Sequence, residues 1–219
     1  KALNALGIEL FLLGALGHPN INHVYEDLDK HKNICIKSIG NPGKTYGLEF
    51  KNGKIMLSDM ASLYKIKWAN IVKTISKEKM IAEMEDSDAI GFGYWSIMPQ
   101  MTTIWNHLMT EVLPSIKDLN NKLFFVDLAD LKKRQKADIL EMINILQNIN
   151  EKIPVLLSLN DQEAIDISKA LNKVKTIDPK KKDFKGFITA GKEINKELGL
   201  SYLVIHTPHF ATCTLKNIE

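Results

Sequence analysis

The fold is decided by one stretch, residues 122–163, which reads KLFFVDLADLKKRQKADILEMINILQNINEKIPVLLSLNDQE. Two short apolar runs, 123–126 and 154–159, flank a segment with apolar residues at positions 139, 142, 143, 146 and 149. The two runs predict buried strands, and the i, i+3, i+4 spacing between them predicts an amphipathic helix. Strand, helix and strand together make a βαβ unit, whose strands must be parallel and whose crossover should be right-handed.

Both predicted strands end directly in a polar residue. The first stops at Asp127 and the second at Asn160. The carboxyl ends of parallel strands meet at one edge of a sheet, and in open α/β sheets ligands bind at that edge. The sequence therefore predicts a ligand site that includes Asp127 and Asn160.

The second strand leads into Asn160-Asp161-Gln162-Glu163, an N-x-x-E at the start of a predicted helix. One interpretation is a capping box, in which Asn160 caps the helix and Glu163 reaches back to the backbone of Asn160. The other places Glu163 among the waters of a Mg²⁺ ion on a nucleotide's phosphates, because Mg²⁺ keeps most of its waters and needs few carboxylates. The two interpretations are compatible, since a cap can hold the carboxylate in place.

The N-x-x-E turn resembles the magnesium and phosphate motif of the ribokinase-like sugar kinases, with Asn160 and Glu163 at the matching positions. Gly7 and Gly17, in ALGIELFLLGALG, match the tail of that family's N-terminal glycine signature. Four short segments are also similar to less studied bacterial members and to the ADP-dependent branch: GALG (14–17), LEFKNGK (48–54), FFVDLAD (124–130) and VIHT (204–207). The resemblance implies a mainly parallel three-layer α/β/α sheet with a small antiparallel β-lid. It further implies transfer of the terminal phosphoryl group of ATP, or of ADP, to a hydroxyl of a sugar-like substrate with Mg²⁺.

The resemblance also implies a set of site residues. Asn160 and Glu163 would organise magnesium and phosphate, with Glu163 reaching the ion through water. Two further groups complete the expected site: cleft-lining Asp127, Asp130 and Arg134, and substrate-facing Gly93, Tyr94 and Trp95. The residues alone leave the aromatic pair open, because Tyr94 and Trp95 could stack on a ring-shaped ligand or close the core.

The family's catalytic Gly-Ala-Gly-Asp is absent from these 219 residues, so no catalytic residue of that motif can be assigned here. The first residue is Lys1 rather than Met, and we expect a partial chain. Two other classes of function stay open. One is a non-catalytic module that binds carbohydrate or nucleotide on the same fold, and the other is an unrelated doubly wound hydrolase that uses Asp127 and Asp130.

Residues 34–58 have a different character from the rest of the chain. Asn52-Gly53 between two β-rich runs is a strong hairpin signal, and we expect three antiparallel strands that form the lid. The nearby segment SIGNPGKT, residues 38–45, nearly matches a phosphate-binding loop, but it leads into a predicted strand and not into a helix. We expect turn residues in segment 38–45. We also expect a homodimer that forms through the lid.

Composition bounds the remaining possibilities. We expect a single α/β domain over 1–219, because this length can bury one sizeable core. A net charge of +3 with one basic run, Lys180-Lys181-Lys182 in a solvated loop, argues against a nucleic-acid partner. No run approaches the roughly 20 apolar residues of a membrane span. The two cysteines are far apart in the sequence, which favours the reducing cytoplasm.

The pair His206-x-x-His209 is more typical of a polar loop than of a metal site.

Overall fold

The structure, a computed structural model, describes residues 2–172 and 184–216. The basic run 180–182 lies outside the described residues. The chain divides into two compact units, Lys1–Glu83 and Met84–Glu219. The expectation of one domain over the whole chain stays a prediction.

The first unit begins with a short helix and alternates small helices with strands. Its elements in chain order are α1 (Ala2–Ala5), β1 (Leu10–Gly14), a 3₁₀ turn (His23–Tyr25), α2 (Glu26–Asp29), β2 (Ile34–Ser38), β3 (Lys44–Phe50), β4 (Gly53–Asp59), a second 3₁₀ turn (Leu63–Lys65), α3 (Trp68–Thr74) and α4 (Lys77–Asp86), whose last residues cross the boundary between the units.

Strand β2 corrects the expected lid. It pairs in parallel with β1, from Leu10 opposite Ile34 to Gly14 opposite Ser38. The prediction of three antiparallel strands over 34–58 is therefore wrong for residues 34–38. The reason is the segment between β1 and β2, which carries α2 and brings the chain back so that both strands run in the same direction.

Strands β3 and β4 confirm the hairpin. They pair antiparallel from Lys44 opposite Asp59 to Phe50 opposite Gly53, with Asn52 in the turn. Strand β3 begins at Lys44, where a phosphate-binding loop would have to begin a helix. The near match to that loop in SIGNPGKT is thus a coincidence of sequence.

The second unit contains five strands and four α-helices among its described residues. After the end of α4 come β5 (Ala89–Phe92), a 3₁₀ turn (Trp95–Ile97), α5 (Met101–His107), a π-helical turn (Leu108–Val112), two 3₁₀ turns (Leu113–Ser115 and Leu119–Asn121), β6 (Leu123–Asp127), a 3₁₀ turn (Leu131–Lys133), α6 (Lys136–Asn150), β7 (Val155–Asn160), α7 (Asp161–Leu171), α8 (Phe184–Leu198), β8 (Tyr202–His206) and β9 (Ala211–Leu215).

These strands form one sheet in the order β5-β6-β7-β8-β9. The first four are parallel, which confirms the βαβ unit over 122–163, and β9 pairs antiparallel with β8. The mixed α/β fold with a mainly parallel sheet and a small antiparallel one is confirmed. The three-layer ribokinase arrangement stays a prediction.

Aromatic packing and one amide hold this sheet together. Phe92, Trp105 and Phe124 form a cluster with ring centroids 4.8–6.3 Å apart. At the amino end of the sheet, Asn150 Oδ1 accepts hydrogen bonds from the backbone N–H groups of Val155 and Ser201, each 2.9 Å long. A single side chain at the end of α6 therefore fixes where β7 and β8 begin.

No helix in the described part of the chain is both long enough and apolar enough to span a bilayer.

Gly17 gives a direct test of the turn after β1. Its φ is +133°, and a Cβ there would collide with the backbone O of Asn20 and N of Asn22. We expect Gly17→Ala to lower the free energy of unfolding by about 3 kcal/mol or more, because conformational strain and a backbone clash add. Gly7→Ala is the matched control, since Gly7 has φ +74° but open space around it, and it should cost only about 1 kcal/mol. Equal losses in urea denaturation would contradict the role of the clash.

Candidate active site

Three parallel strands bring their polar ends to one edge of the sheet. Asp127 lies opposite Ser158, and Asn160 lies opposite His206, so the ends of β6, β7 and β8 are adjacent. The predicted shared edge of Asp127 and Asn160 is confirmed. This juxtaposition follows from the parallel register alone.

A cavity of about 350 Å³ opens at this edge. That volume suits a small molecule. The residues that line it come from the ends of β5 to β8 and from the first turns of α7: Tyr94, Asp127, Ala129, Asp130, Leu131, Asn160, Gln162, Glu163, Asp166 and His206.

The capping box at the start of α7 is confirmed. The Glu163 N–H donates to Asn160 Oδ1 over 2.9 Å, and the Asn160 N–H donates to Glu163 Oε2 over 2.8 Å. Glu163 is only 5% exposed. The cap therefore does what the sequence predicted, and it holds a carboxyl group in one orientation beside the cavity.

The Glu163 carboxyl group is an unusual acid. Burial raises its pKa from the ordinary value of 4.5 to about 7, and the nearby negative charges of Asp127 and Asp130 push the pKa the same way. The hydrogen bonds with Asn160 act in the opposite direction but are outweighed. A nearby cation would favour the ionised form and relieve this penalty.

The lining as a whole is acidic. It holds four carboxyl groups, from Asp127, Asp130, Glu163 and Asp166, and none of its residues is Lys or Arg. Nevertheless, within 2–172 and 184–216 no three His, Cys, Asp or Glu side chains are placed to hold a metal ion together. The residues present therefore fit a hydrated divalent cation that meets the protein through water and bound ligand, and not an ion caged by protein groups.

Five of the eight sequence-predicted site residues line the cavity: Tyr94, Asp127, Asp130, Asn160 and Glu163. Gly93 and Trp95 are not in the lining. Trp95 is fully buried, and its indole N–H donates to Thr102 Oγ1 over 3.0 Å, so its ring closes the core. Tyr94, in contrast, is 62% exposed.

Arg134 does not line the cavity either. Its guanidinium donates to the backbone carbonyls of Trp95, Ser96 and Met98 at 2.8–3.1 Å. The group therefore holds the turn that follows β5.

Five lining residues were not predicted as site residues: Ala129, Leu131, Gln162, Asp166 and His206. The rule that selected Asp127 and Asn160 would also have found His206, which is the last residue of β8. Helical spacing could have found Asp166, three residues after Glu163 and hydrogen-bonded to Gln162 Nε2 over 3.0 Å. Nothing in the sequence marks Ala129 or Leu131.

An N-x-x-E cap at the carboxyl edge of a mainly parallel sheet is the arrangement that the resemblance to the ribokinase-like sugar kinases implied. Comparison with known proteins supports this class. A family model described as prokaryotic ketohexokinase matches residues 1–217, and the chain belongs to that family.

A curated ketohexokinase from Haloferax volcanii is 26% identical to this chain over 163 residues. The match covers 74% of this chain and 42% of that relative, so the chain spans less than half the length of the protein it resembles. No solved structure matches the chain.

The raised pKa of Glu163 predicts how stability changes with pH. Between about pH 4.5 and pH 7 the folded chain binds a proton at Glu163 that the unfolded chain has released, so the free energy of unfolding falls as pH rises through this window. We expect a fall of roughly 1–3 kcal/mol relative to Glu163→Gln, which cannot titrate, because a tenfold change in acid dissociation is worth about 1.4 kcal/mol. Urea denaturation from pH 4.5 to 8 measures the difference. Parallel curves of the free energy of unfolding against pH for the two proteins would contradict a raised pKa at Glu163.

Proposed function

We propose that this chain forms the substrate and magnesium cleft of a sugar kinase that transfers the terminal phosphoryl group of ATP, or of ADP, to a hydroxyl of a ketohexose. The observation that carries the proposal is the Asn160–Glu163 cap, which holds a buried carboxyl group at the sheet edge beside Asp127. Membership of the prokaryotic ketohexokinase family supports ketohexoses as the substrate class. The name of the Haloferax volcanii relative supports it as well.

The lining offers groups that suit a sugar. Asp127 and Asp130 carry carboxylate oxygens, which accept hydrogen bonds from hydroxyl groups. Tyr94 presents an exposed ring beside them, and an aromatic face packs against the C–H face of a sugar ring. In this proposal Asp127 and Asp130 bind and orient the hydroxyls, and Tyr94 covers the ring.

Glu163 and Asn160 take the magnesium role. When bound, Mg²⁺ neutralises charge on the phosphates, and positioning plus charge neutralisation is most of what phosphoryl transfer requires. Glu163 would hold the waters of the ion, and Asn160 would keep the Glu163 carboxylate in orientation. Burial, with the charges of Asp127 and Asp130, raises the pKa of Glu163, and a cation beside the carboxyl group would favour its ionised form.

A second candidate function is a non-catalytic module that binds a ketohexose or a nucleotide. The absence of Gly-Ala-Gly-Asp from the 219 residues favours it, because that motif supplies the family's catalytic base. Family membership gives no support to an unrelated hydrolase. A coupled assay that follows nucleotide consumption by the intact protein, with and without D-fructose, separates kinase from module: consumption that requires fructose identifies the kinase.

Glu163→Gln tests the magnesium role. Gln preserves the shape and the cap but removes the charge, so the intact kinase should lose activity roughly tenfold or more and need more Mg²⁺ for half-maximal rate. Its stability at pH 8 should not fall by more than about 1 kcal/mol. The measurement is a Mg²⁺ titration of activity beside a melting curve.

Glu141→Gln is the matched control for this experiment. Glu141 is an exposed glutamate on α6, outside the cavity lining, so the same substitution should leave both the rate and the magnesium dependence unchanged. Unchanged activity and magnesium dependence in Glu163→Gln would falsify the magnesium role and leave Glu163 as a capping residue.

The β3–β4 hairpin supports the proposed lid and homodimer. Cross-strand pairing puts Tyr46, Leu48, Phe50, Ile55 and Leu57 on one face of the hairpin. All five are 46–61% exposed. The opposite face pairs Thr45 with Ser58 and Glu49 with Lys54. An isolated two-stranded sheet with one bare apolar face is marginal in water, and a second copy of the same face would cover it.

Ile55→Lys tests this dimer. The charge would lie in the middle of the apolar face, so the dimer dissociation constant should rise at least roughly tenfold. Met56→Lys is the control, because Met56 is equally exposed, at 56%, but lies on the opposite face. Sedimentation velocity of the intact protein measures both. A wild-type protein that is monomeric at about 50 μM would rule out the lid dimer.

A further inference from the structure

Two turns of the cavity hold a non-glycine residue in the left-handed region of backbone space. Tyr94 follows β5 and has φ 62° and ψ 40°, and Ala129 follows β6 and has φ 62°. Both residues line the cavity. Residues other than glycine, asparagine and aspartate rarely adopt this conformation, and such strain persists only where the surroundings enforce it.

One side chain enforces the first turn. Arg134 Nε donates to the Ser96 carbonyl over 3.1 Å, and the same guanidinium donates to the carbonyls of Trp95 and Met98 over 3.0 and 2.8 Å. The guanidinium carbon also lies 4.6 Å from the ring centroid of the buried Trp95. Three carbonyls and a ring therefore fix the backbone that immediately follows Tyr94.

The same arginine ties this turn to the second one. The backbone N–H of Arg134 donates to the carbonyl of Leu131, a lining residue in the turn after β6. A separate bond runs directly between the turns, from the Ser96 N–H to the Leu128 carbonyl over 2.9 Å. Hydrogen bonds thus join the loop that holds Tyr94 to the loop that holds Ala129, close to both strained residues.

We propose that Arg134 is a positioning residue, which holds the left-handed turn at Tyr94 so that the exposed tyrosine ring covers the sugar in the cavity. The inference rests on the proposed sugar kinase function and adds a residue from outside the cavity lining. A planar guanidinium can reach several carbonyls in a fixed fork, whereas a lysine ammonium is a compact charge on a flexible stem. The three carbonyls therefore require arginine and not merely a positive charge.

Steady-state kinetics of the intact protein with D-fructose and MgATP test the proposal, with MgADP as the alternative donor. Arg134→Lys keeps the charge but loses the fork, and it should raise the KM for fructose roughly tenfold, with little change in the KM for the nucleotide. Tyr94→Gly removes the ring and relieves the left-handed strain. It should also raise the KM for fructose roughly tenfold, while the melting temperature holds or rises.

The double variant decides whether Arg134 acts through Tyr94. If it does, Arg134→Lys in the Tyr94→Gly background raises the KM for fructose no further, and the total effect stays near tenfold. A hundredfold effect would mean that the two residues act independently, which overturns the proposal. Asp118→Gly is the control, because Asp118 also has a positive φ of 53° but is not in the cavity lining. It should leave the KM unchanged.

Hydrogen exchange gives a readout that needs no activity. Arg134→Lys should accelerate exchange of the backbone amides of Ser96, Ile97 and Met98 at least roughly tenfold, because the turn loses its three carbonyl bonds. Unchanged exchange overturns the positioning role whatever the kinetics show. Faster exchange in a protein that phosphorylates no fructose supports the role of Arg134 in holding the turn, and it refutes the proposed function instead.

Discussion

The two hydrogen bonds between Asn160 and Glu163 hold an acid where its charge is unfavourable. Burial and the charges of Asp127 and Asp130 oppose its ionisation, and the cap from Asn160 offsets them only in part. A helix cap needs no buried acid, since an exposed glutamate makes the same bond. The cost is explained if the site is completed by a cation, because a positive charge near Glu163, Asp127 and Asp130 would offset their mutual repulsion and favour the ionised form of Glu163.

The rest of the second unit keeps that acid in place. Asn150 fixes the beginnings of β7 and β8, so the positions of their ends are set by strand length and register. Aromatic packing of Phe92, Trp105 and Phe124 joins β5 and β6 to α5. The cavity lies at the carboxyl ends of these strands. Tyr94 and Ala129, the two lining residues with a positive φ, lie in the loops after β5 and β6, and strained residues cluster at functional sites.

The sequence predicted the elements and site residues that depend on a local pattern of residues. It did not predict strand pairings and side-chain directions that depend on residues far away in the sequence. Periodicity was sufficient for the βαβ unit over 122–163, and the parallel-strand rule was sufficient for Asp127 and Asn160. The partner of β2 could not be read, because an alternating strand pairs equally well with a hairpin or with β1. Strand β9, with the sequence ATCTL, lacks the continuous apolar run that marked β6 and β7. Arg134 was expected to line the cleft, but the direction of its side chain depends on carbonyls 36–39 residues away.

The charge of the lining also limits what the cleft can hold by itself. Its side chains are hydrogen-bond acceptors, amides and one histidine, without a lysine or an arginine among the ten. Such a surface suits a neutral polyhydroxyl ligand, but phosphate groups would meet four carboxyl groups at close range. Arg134 lies outside the lining, and its guanidinium is bonded to the backbone carbonyls of Trp95, Ser96 and Met98. Under the proposed function, Asn160 and Glu163 would hold a hydrated divalent cation, and its positive charge would reduce the repulsion between the carboxyl groups of the lining and the phosphates.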